Sequence, residues 1–119
     1  MARDKKKVIE VCDRLWSRLV RERDKGRCQR CGAPTEGHAH HAVMRRCYMN
    51  TRWNLVNGVY LCGVCHVGMH ENPAHSALFV IEKIGVRKAE EIMRLAREQK
   101  HWGIRELEEM ERGLKAQIR

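Results

Sequence analysis

The 119-residue chain lacks any apolar run near the roughly 20 residues a membrane-spanning helix needs, which excludes a transmembrane helical protein. No apolar stretch follows its charged start, Met1-Ala2-Arg3-Asp4-Lys5-Lys6-Lys7, so no secretory leader is expected and a cytoplasmic location is. Aromatic residues make up only 5%, too few for stacking on unpaired bases to be the main mode of binding. Internal repeats and low-complexity stretches are absent too, and 43% hydrophobic residues exclude wholesale disorder. What remains is a single small domain with a modest core.

Charge is abundant and uneven. The net charge is +9, and residues 1–60 hold 14 Lys/Arg against 6 Asp/Glu, whereas residues 61–119 hold 10 against 9. An excess gathered in one half points to a phosphate-bearing partner. Charge alone fits a solvated, solubilising surface equally well.

Six cysteines in a cytoplasmic chain point to metal rather than disulfides. Cys28-Gln29-Arg30-Cys31 and Cys62-Gly63-Val64-Cys65 form two C-x-x-C pairs. Each can offer two thiolates from a tight turn, with Gly32 and Gly63 easing the turns, and together they make the closed four-sulfur shell of a structural zinc site. The 30 residues between the pairs exceed zinc-ribbon spacing, so a further element is inserted there. No βαβ context supports thioredoxin-like redox chemistry. Cys12 belongs to a helix core, and Cys47 has no partner at ligand spacing.

The chain divides into three stretches of one domain. Residues 5–25 form an amphipathic helix through Val8, Val11, Cys12, Leu15, Trp16, Leu19 and Val20, with Gly26 as a C-terminal stop. Residues 26–72 carry the metal-ligand residues on short strands and turns, including a strand at Val59-Tyr60-Leu61. Residues 73–119 form helices over 74–84, 86–100 and 104–118, the first capped by Asn72 with Pro73 at its first position. Leu78, Ile81, Ile92, Met93, Leu107 and Leu114 are the expected core of these helices. The central stretch is too small to hold by apolar burial alone, so metal and flanking helices must help.

Five of the seven histidines fall between His38 and His70. His66 and His70 are spaced i, i+4, which on a helix puts both imidazoles on one face. Cys65 precedes His66, so one can face zinc while the other faces away. In an extended segment His40 and His41 point to opposite sides, so one can bind a metal while its neighbour serves elsewhere. Three protein ligands with an imidazole beside them make an open, catalytic kind of metal site. Taken singly, His66 and His70 could be solvent-facing, and Asn57-Gly58 could be a plain hairpin turn. His38, His75 and His101 are given no chemistry.

The run Arg23-Asp24-Lys25-Gly26-Arg27-Cys28-Gln29-Arg30-Cys31-Gly32, then His40-His41, then Asn57-Gly58-Val59-Tyr60-Leu61-Cys62-Gly63-Val64-Cys65-His66, then His70, resembles the HNH endonuclease family over roughly residues 23–72. The resemblance implies a small α+β fold. Its ββα-metal module, a hairpin and helix around one catalytic divalent ion braced by a four-cysteine zinc, would be flanked here by an N-terminal helix and about three C-terminal helices. The implied activity is metal-dependent DNA cleavage, by nicking or double-strand cutting, leaving 5′-phosphate and 3′-hydroxyl ends. Carried onto this chain, His41 is the general base, and His40, His66 and His70 hold the catalytic ion. Asn57 holds the hairpin loop and orients His41, with Asn54 a competitor for that role. His40 stands where members often carry Asp. Zinc is the implied structural ion, and magnesium or manganese, with nickel possible, the catalytic one. A weaker resemblance, to phage NinG-type recombination nucleases, rests on Ile84-Gly85 and on His101-Trp102 leading into Arg105-Glu106-Leu107.

DNA would be gripped mainly by its phosphate backbone. Arg45, Arg46 and Arg52, in the insert between His41 and Asn57, are the expected contacts. Arg14, Arg18 and Arg21 share a helix face that is either a second contact or simply solvated. The rival reading is a non-catalytic zinc-ribbon nucleic-acid-binding module. It fits charge and cysteines but leaves His40-His41 and His66-x-x-x-His70 unexplained.

Overall fold

The computed structural model describes residues 3–42 and 49–118. Arg45 and Arg46, two of the expected DNA contacts, and Cys47 lie outside the described residues. The order of elements is α1 (Lys5–Arg23), β1 (His38–His41), β2 (Gly58–Leu61), α2 (Gly63–Glu71), α3 (Pro73–Ile84), α4 (Val86–Ala96) and α5 (Ile104–Gln117), with short 3-10 turns at Met49–Thr51 and Leu55–Asn57. This is a small α+β protein with a two-stranded antiparallel sheet. Among the described residues no helix is long and apolar enough to cross a membrane.

Asp4 caps α1 by accepting the Lys7 N–H at 2.9 Å. The helix stops at Arg23, and the chain leaves through Lys25 and Gly26, both at positive φ (57° and 65°). Its inner stripe, Val8, Cys12, Trp16, Leu19 and Val20, packs against Leu107 and Leu114 of α5 and against Trp53 and Tyr60. Cys12 is thus the core residue its spacing implied, and burial pushes its thiol up to about 11.

All four residues of β2 are buried because the strand is covered on both faces. Tyr60 joins the α1–α5 core, whereas Val59 and Leu61 join a second cluster with Cys28, Cys65 and Met69. The register pairs His38 with Leu61, His40 with Val59, and His41 with Gly58. Gly37, just before β1, must be glycine: a Cβ there would lie 2.0 Å from the Leu61 carbonyl oxygen.

In the C-terminal part Asn72 accepts the His75 N–H at 3.1 Å and Pro73 opens α3, as expected from that pair. Two expectations are corrected. The helix read over 86–100 stops at Ala96, because the Asn50 side-chain amide donates to the Leu95 and Glu98 carbonyls while the Trp102 indole donates to Asn50 Oδ1 at 2.8 Å. Ile92, Leu107 and Leu114 are core, but Leu78, Ile81 and Met93 are exposed. Helical periodicity marks an apolar stripe without saying whether anything covers it. Here the buried line runs through Val80, Ile92 and Ala96.

Candidate active site

The first C-x-x-C pair sits on a tight turn. The Cys31 N–H points at Cys28 Sγ (3.5 Å), the Gly32 N–H donates to the Cys28 carbonyl (2.8 Å), and Gly32 completes the turn at φ 80°. The second pair opens α2. Cys62 is the helix N-cap, its sulfur facing the Cys65 N–H at 3.5 Å in the place a capping oxygen usually takes. A backbone bond from Gln29 N–H to the Tyr60 carbonyl (2.9 Å) ties the first turn to the strand leading to the second.

The sulfurs of Cys28, Cys31, Cys62 and Cys65 all lie within 4.8 Å of one another. A zinc–sulfur bond of about 2.3 Å sets tetrahedral sulfurs about 3.8 Å apart, and Cys31 and Cys62 stand at 3.9 Å. Without a cation such crowding opposes full ionisation. Burial raises Cys28, but N–H groups including that of Cys31 outweigh it and bring the thiol down to about 6. Burial, with the Cys62 and Cys28 sulfurs beside it, pushes Cys65 up to about 12. A dication removes this conflict, so the donor set fits zinc. Arg30 adds positive charge at the rim, its guanidinium 3.9 Å from Cys65 Sγ and 3.1 Å from His75 Nε2.

The imidazoles form a second cluster. His40 sits on the face of β1 turned toward α2, and its ring meets those of His66 and His70 edge-on at 5.4 and 5.5 Å. Ligand nitrogens of the three lie within 4.8 Å of one another. The Nε2 atoms of His66 and His70 are 3.1 Å apart, close to the roughly 3.4 Å expected for two nitrogens on one tetrahedral ion. Burial, then the neighbouring His66, His70 and His41, lowers His40 to about 4, and burial followed by His70 and His38 lowers His66. Both therefore present neutral imidazoles near pH 7, the form that ligates metal.

His41 lies on the opposite face of β1, beside α1. Its ring stacks on Trp16 at 3.9 Å and 9°. Nε2 lies 2.9 Å from the Arg52 carbonyl oxygen, which can only accept, so Nε2 carries the proton and Nδ1 is the basic nitrogen of the neutral ring. Asn57 is fully buried; its side-chain amide donates to the Thr51 carbonyl at 2.9 Å, and its backbone carbonyl accepts the Ala42 N–H at 3.1 Å. It thereby joins the loop to the end of β1. Asn54 instead caps the second 3-10 turn, accepting the Val56 N–H at 2.9 Å.

Both faces of β1 open onto one cleft of about 1200 Å³, lined by His38, His40, His41, His66 and His70 and walled by Ser17, Arg18 and Arg21 of α1. Of the three helix arginines, Arg14 is not part of this wall. Arg52, expected to contact phosphate, has its fork turned onto Asp13 (Nε–Oδ1 2.9 Å, Nη2–Oδ2 2.7 Å), and its side chain is 16% exposed. His38, given no chemistry in the sequence, lines the cleft and stacks on His66 at 5.0 Å. The same alternation that parts His40 from His41 puts His38 with His40, so the signal was there. His75 and His101 are exposed.

These features define a small α+β protein with a four-sulfur centre suited to zinc and a three-imidazole cluster opening on a basic-walled cleft. The chain belongs to the NinG family: the family model described as bacteriophage lambda NinG protein matches residues 1–119. The resemblance that rested on fewer residues is thus the one that spans the whole chain. No curated protein and no solved structure matches it.

Proposed function

We propose that this NinG-family chain is a zinc-braced HNH endonuclease that hydrolyses DNA phosphodiesters with one divalent ion and a histidine general base. One observation carries the reading. His40, His66 and His70 converge from a hairpin and the helix that follows it, while His41, next in sequence, opens onto the same cleft from the other face of the strand.

The chemistry follows from that placement. His40, His66 and His70 would hold the divalent ion, which when bound would supply positive charge to offset the charge developing on the phosphate and the leaving oxygen. His41 accepts a proton from the attacking water at Nδ1, while the Arg52 carbonyl keeps the other ring proton on Nε2. Water adds to phosphorus and the P–O3′ bond breaks. The 3′ oxygen takes up a proton from solvent, and the ends are 5′-phosphate and 3′-hydroxyl. Trp16 keeps the His41 ring flat against α1 and shields one side of it. Asn57 fixes the loop that supplies the Arg52 carbonyl. Arg18 and Arg21 hold the phosphate backbone along the cleft. Three imidazoles without a carboxylate suit manganese, cobalt or nickel better than magnesium.

Plasmid cleavage by the zinc-loaded protein, with each divalent ion in turn, tests the proposal. Wild type should nick or linearise plasmid, and His41→Ala should lower the rate by about 10²- to 10⁴-fold. Should wild type leave plasmid supercoiled under every ion, the enzyme reading is wrong and the zinc-ribbon binding module takes its place.

A further inference from the structure

Helix α1 lies outside the hairpin and α2, yet it grips one three-residue segment of the loop between the strands at several points. Asp13 takes the Arg52 guanidinium in a two-point ion pair and accepts the Trp53 indole N–H on Oδ1 at 2.9 Å. One turn further on, the Trp16 indole N–H donates to the Asn54 carbonyl at 2.9 Å. Among the described residues, 52–54 have no strand neighbour. Their own backbone takes part in three turn bonds, Arg52 N–H to Met49 and Asn54 N–H to Thr51, each at 3.2 Å, and Asn57 N–H to Asn54 at 3.0 Å. The Arg52 carbonyl, which accepts from His41 Nε2, is therefore placed from α1 as well as by these turns and Asn57, and the ring stacked on His41 belongs to α1 too.

We infer that Asp13 is a positioning residue for the general base: by clamping Arg52 and Trp53 it sets the Arg52 carbonyl, and that carbonyl fixes the tautomer and tilt of His41. The inference rests on the reading of His41 as the base. It gives the Arg52–Asp13 pair a purpose beyond packing. An arginine beside the cleft of a DNA-binding protein would ordinarily face phosphate. This one is turned inward, with both partners about four-fifths covered, and a two-point carboxylate pair fixes orientation as well as distance. Displacing a catalytic group by about 1 Å can cost on the order of 100-fold in rate.

The experiment compares wild type, Asp13→Asn, Arg52→Lys and the core control Leu114→Val, all zinc-loaded and supplied with Mn²⁺. Asn keeps the size of Asp13 and one acceptor but loses the charge, and Lys keeps the charge of Arg52 but loses the fork. Both should lower kcat by about 10- to 100-fold with KM for DNA changed less than about threefold. Leu114→Val should lower the melting temperature with kcat unchanged. Nitrogen-15 spectra of the His41 ring in the manganese-free protein should show the Nε2–H tautomer in wild type and a mixture of tautomers in Asp13→Asn. Unchanged kcat and an unchanged ring spectrum in Asp13→Asn would overturn the inference. Failure of wild type to cleave under any ion would overturn the endonuclease reading instead, and the ring spectrum would still decide whether Asp13 sets His41. Should Asp13→Asn not fold, Arg52→Lys carries the same comparison.

Discussion

Removing the ion from the four-sulfur centre is the perturbation with the widest expected reach. The apolar cluster around that centre consists of Cys28, Val59, Leu61, Cys65 and Met69, and two of those five are ligands. The core joining α1 to α5 is separate, built on Val8, Trp16, Leu19, Val20, Leu107 and Leu114. Structural zinc contributes about 10–16 kcal/mol in small metal modules, as much as the whole stability of a typical domain, about 5–15 kcal/mol. Chelation should therefore unfold the module and spare the α1–α5 core. In amide-resolved NMR, the signals of residues 28–32 and 62–71 should collapse while those of α1 and α5 persist. Because His66 and His70 ride on α2, affinity for the second ion should fall more than about tenfold when the sulfur site is stripped. Titration of the chelated and zinc-loaded forms with Mn²⁺, which thiolates bind poorly, read by electron spin resonance, measures this. If the stripped protein keeps α2 protected and binds the second ion within threefold of the loaded form, apolar packing alone holds the frame and the argument fails.

Three further outcomes follow from the cleft. With only imidazole donors, the His40–His66–His70 cluster should bind Co²⁺ or Ni²⁺ more than about tenfold tighter than Mg²⁺; titration calorimetry on wild type and His40→Asp checks this, the variant narrowing the gap. His40 stays neutral down to about 4, whereas an unfolded imidazole titrates near 6.5. The unfolded chain therefore binds the extra proton first, and this contribution to stability is present above pH 6.5 and lost as pH falls toward 4. Between pH 7.5 and 5.5 it should remove about 1 kcal/mol from the second-ion-free protein, measurable by urea unfolding and absent in His40→Gln. Arg21→Gln should weaken duplex DNA binding and lower the salt dependence of log Kd by about one ion, read by fluorescence anisotropy across a salt series; an unchanged slope would make Arg21 a solvated residue.

The most legible parts of this molecule are those where chemistry forces spacing. The first C-x-x-C pair sits on the tight turn its spacing implied, with Gly32 at positive φ, whereas the second is presented from the N-terminus of α2, where Gly63 is an ordinary helical residue. Strand alternation parted His40 from His41 correctly, and the same rule carried one step further places His38. Asn72-Pro73 opened α3 as a cap and first-turn pair should. What stayed hidden depends on residues far apart in sequence. The charge of Arg52 says nothing of Asp13, 39 residues earlier, which claims it. The end of α4 is fixed by Asn50, on a loop that no periodicity marks. Leu78, Ile81 and Met93 repeat at helical spacing, but whether a stripe is covered is a property of the neighbours and not of the stripe.

Helix α2 shows why ligand spacing was the better guide. Its buried residues are Cys65 and Met69, whereas Val64 is 84% exposed and Val67 54% exposed. An apolar count would therefore have drawn its inner face on the wrong side. Nine residues are too few for a helix to persist in water unaided. This one is held at its first turn by two sulfurs and along its inner stripe by Cys65 and Met69. The adjoining stripe carries His66 and His70 toward the cleft. Successive residues on a helix stand about 100° apart, so Cys65 and His66 can serve two centres only because each faces its own. A single extra residue between Cys65 and His66 would keep both motifs in the sequence and rotate the histidines away from His40. Such an insertion should abolish the second ion site and cleavage, and because it swings Met69 off the core as well it should weaken zinc binding without removing it, as metal analysis after dialysis would read.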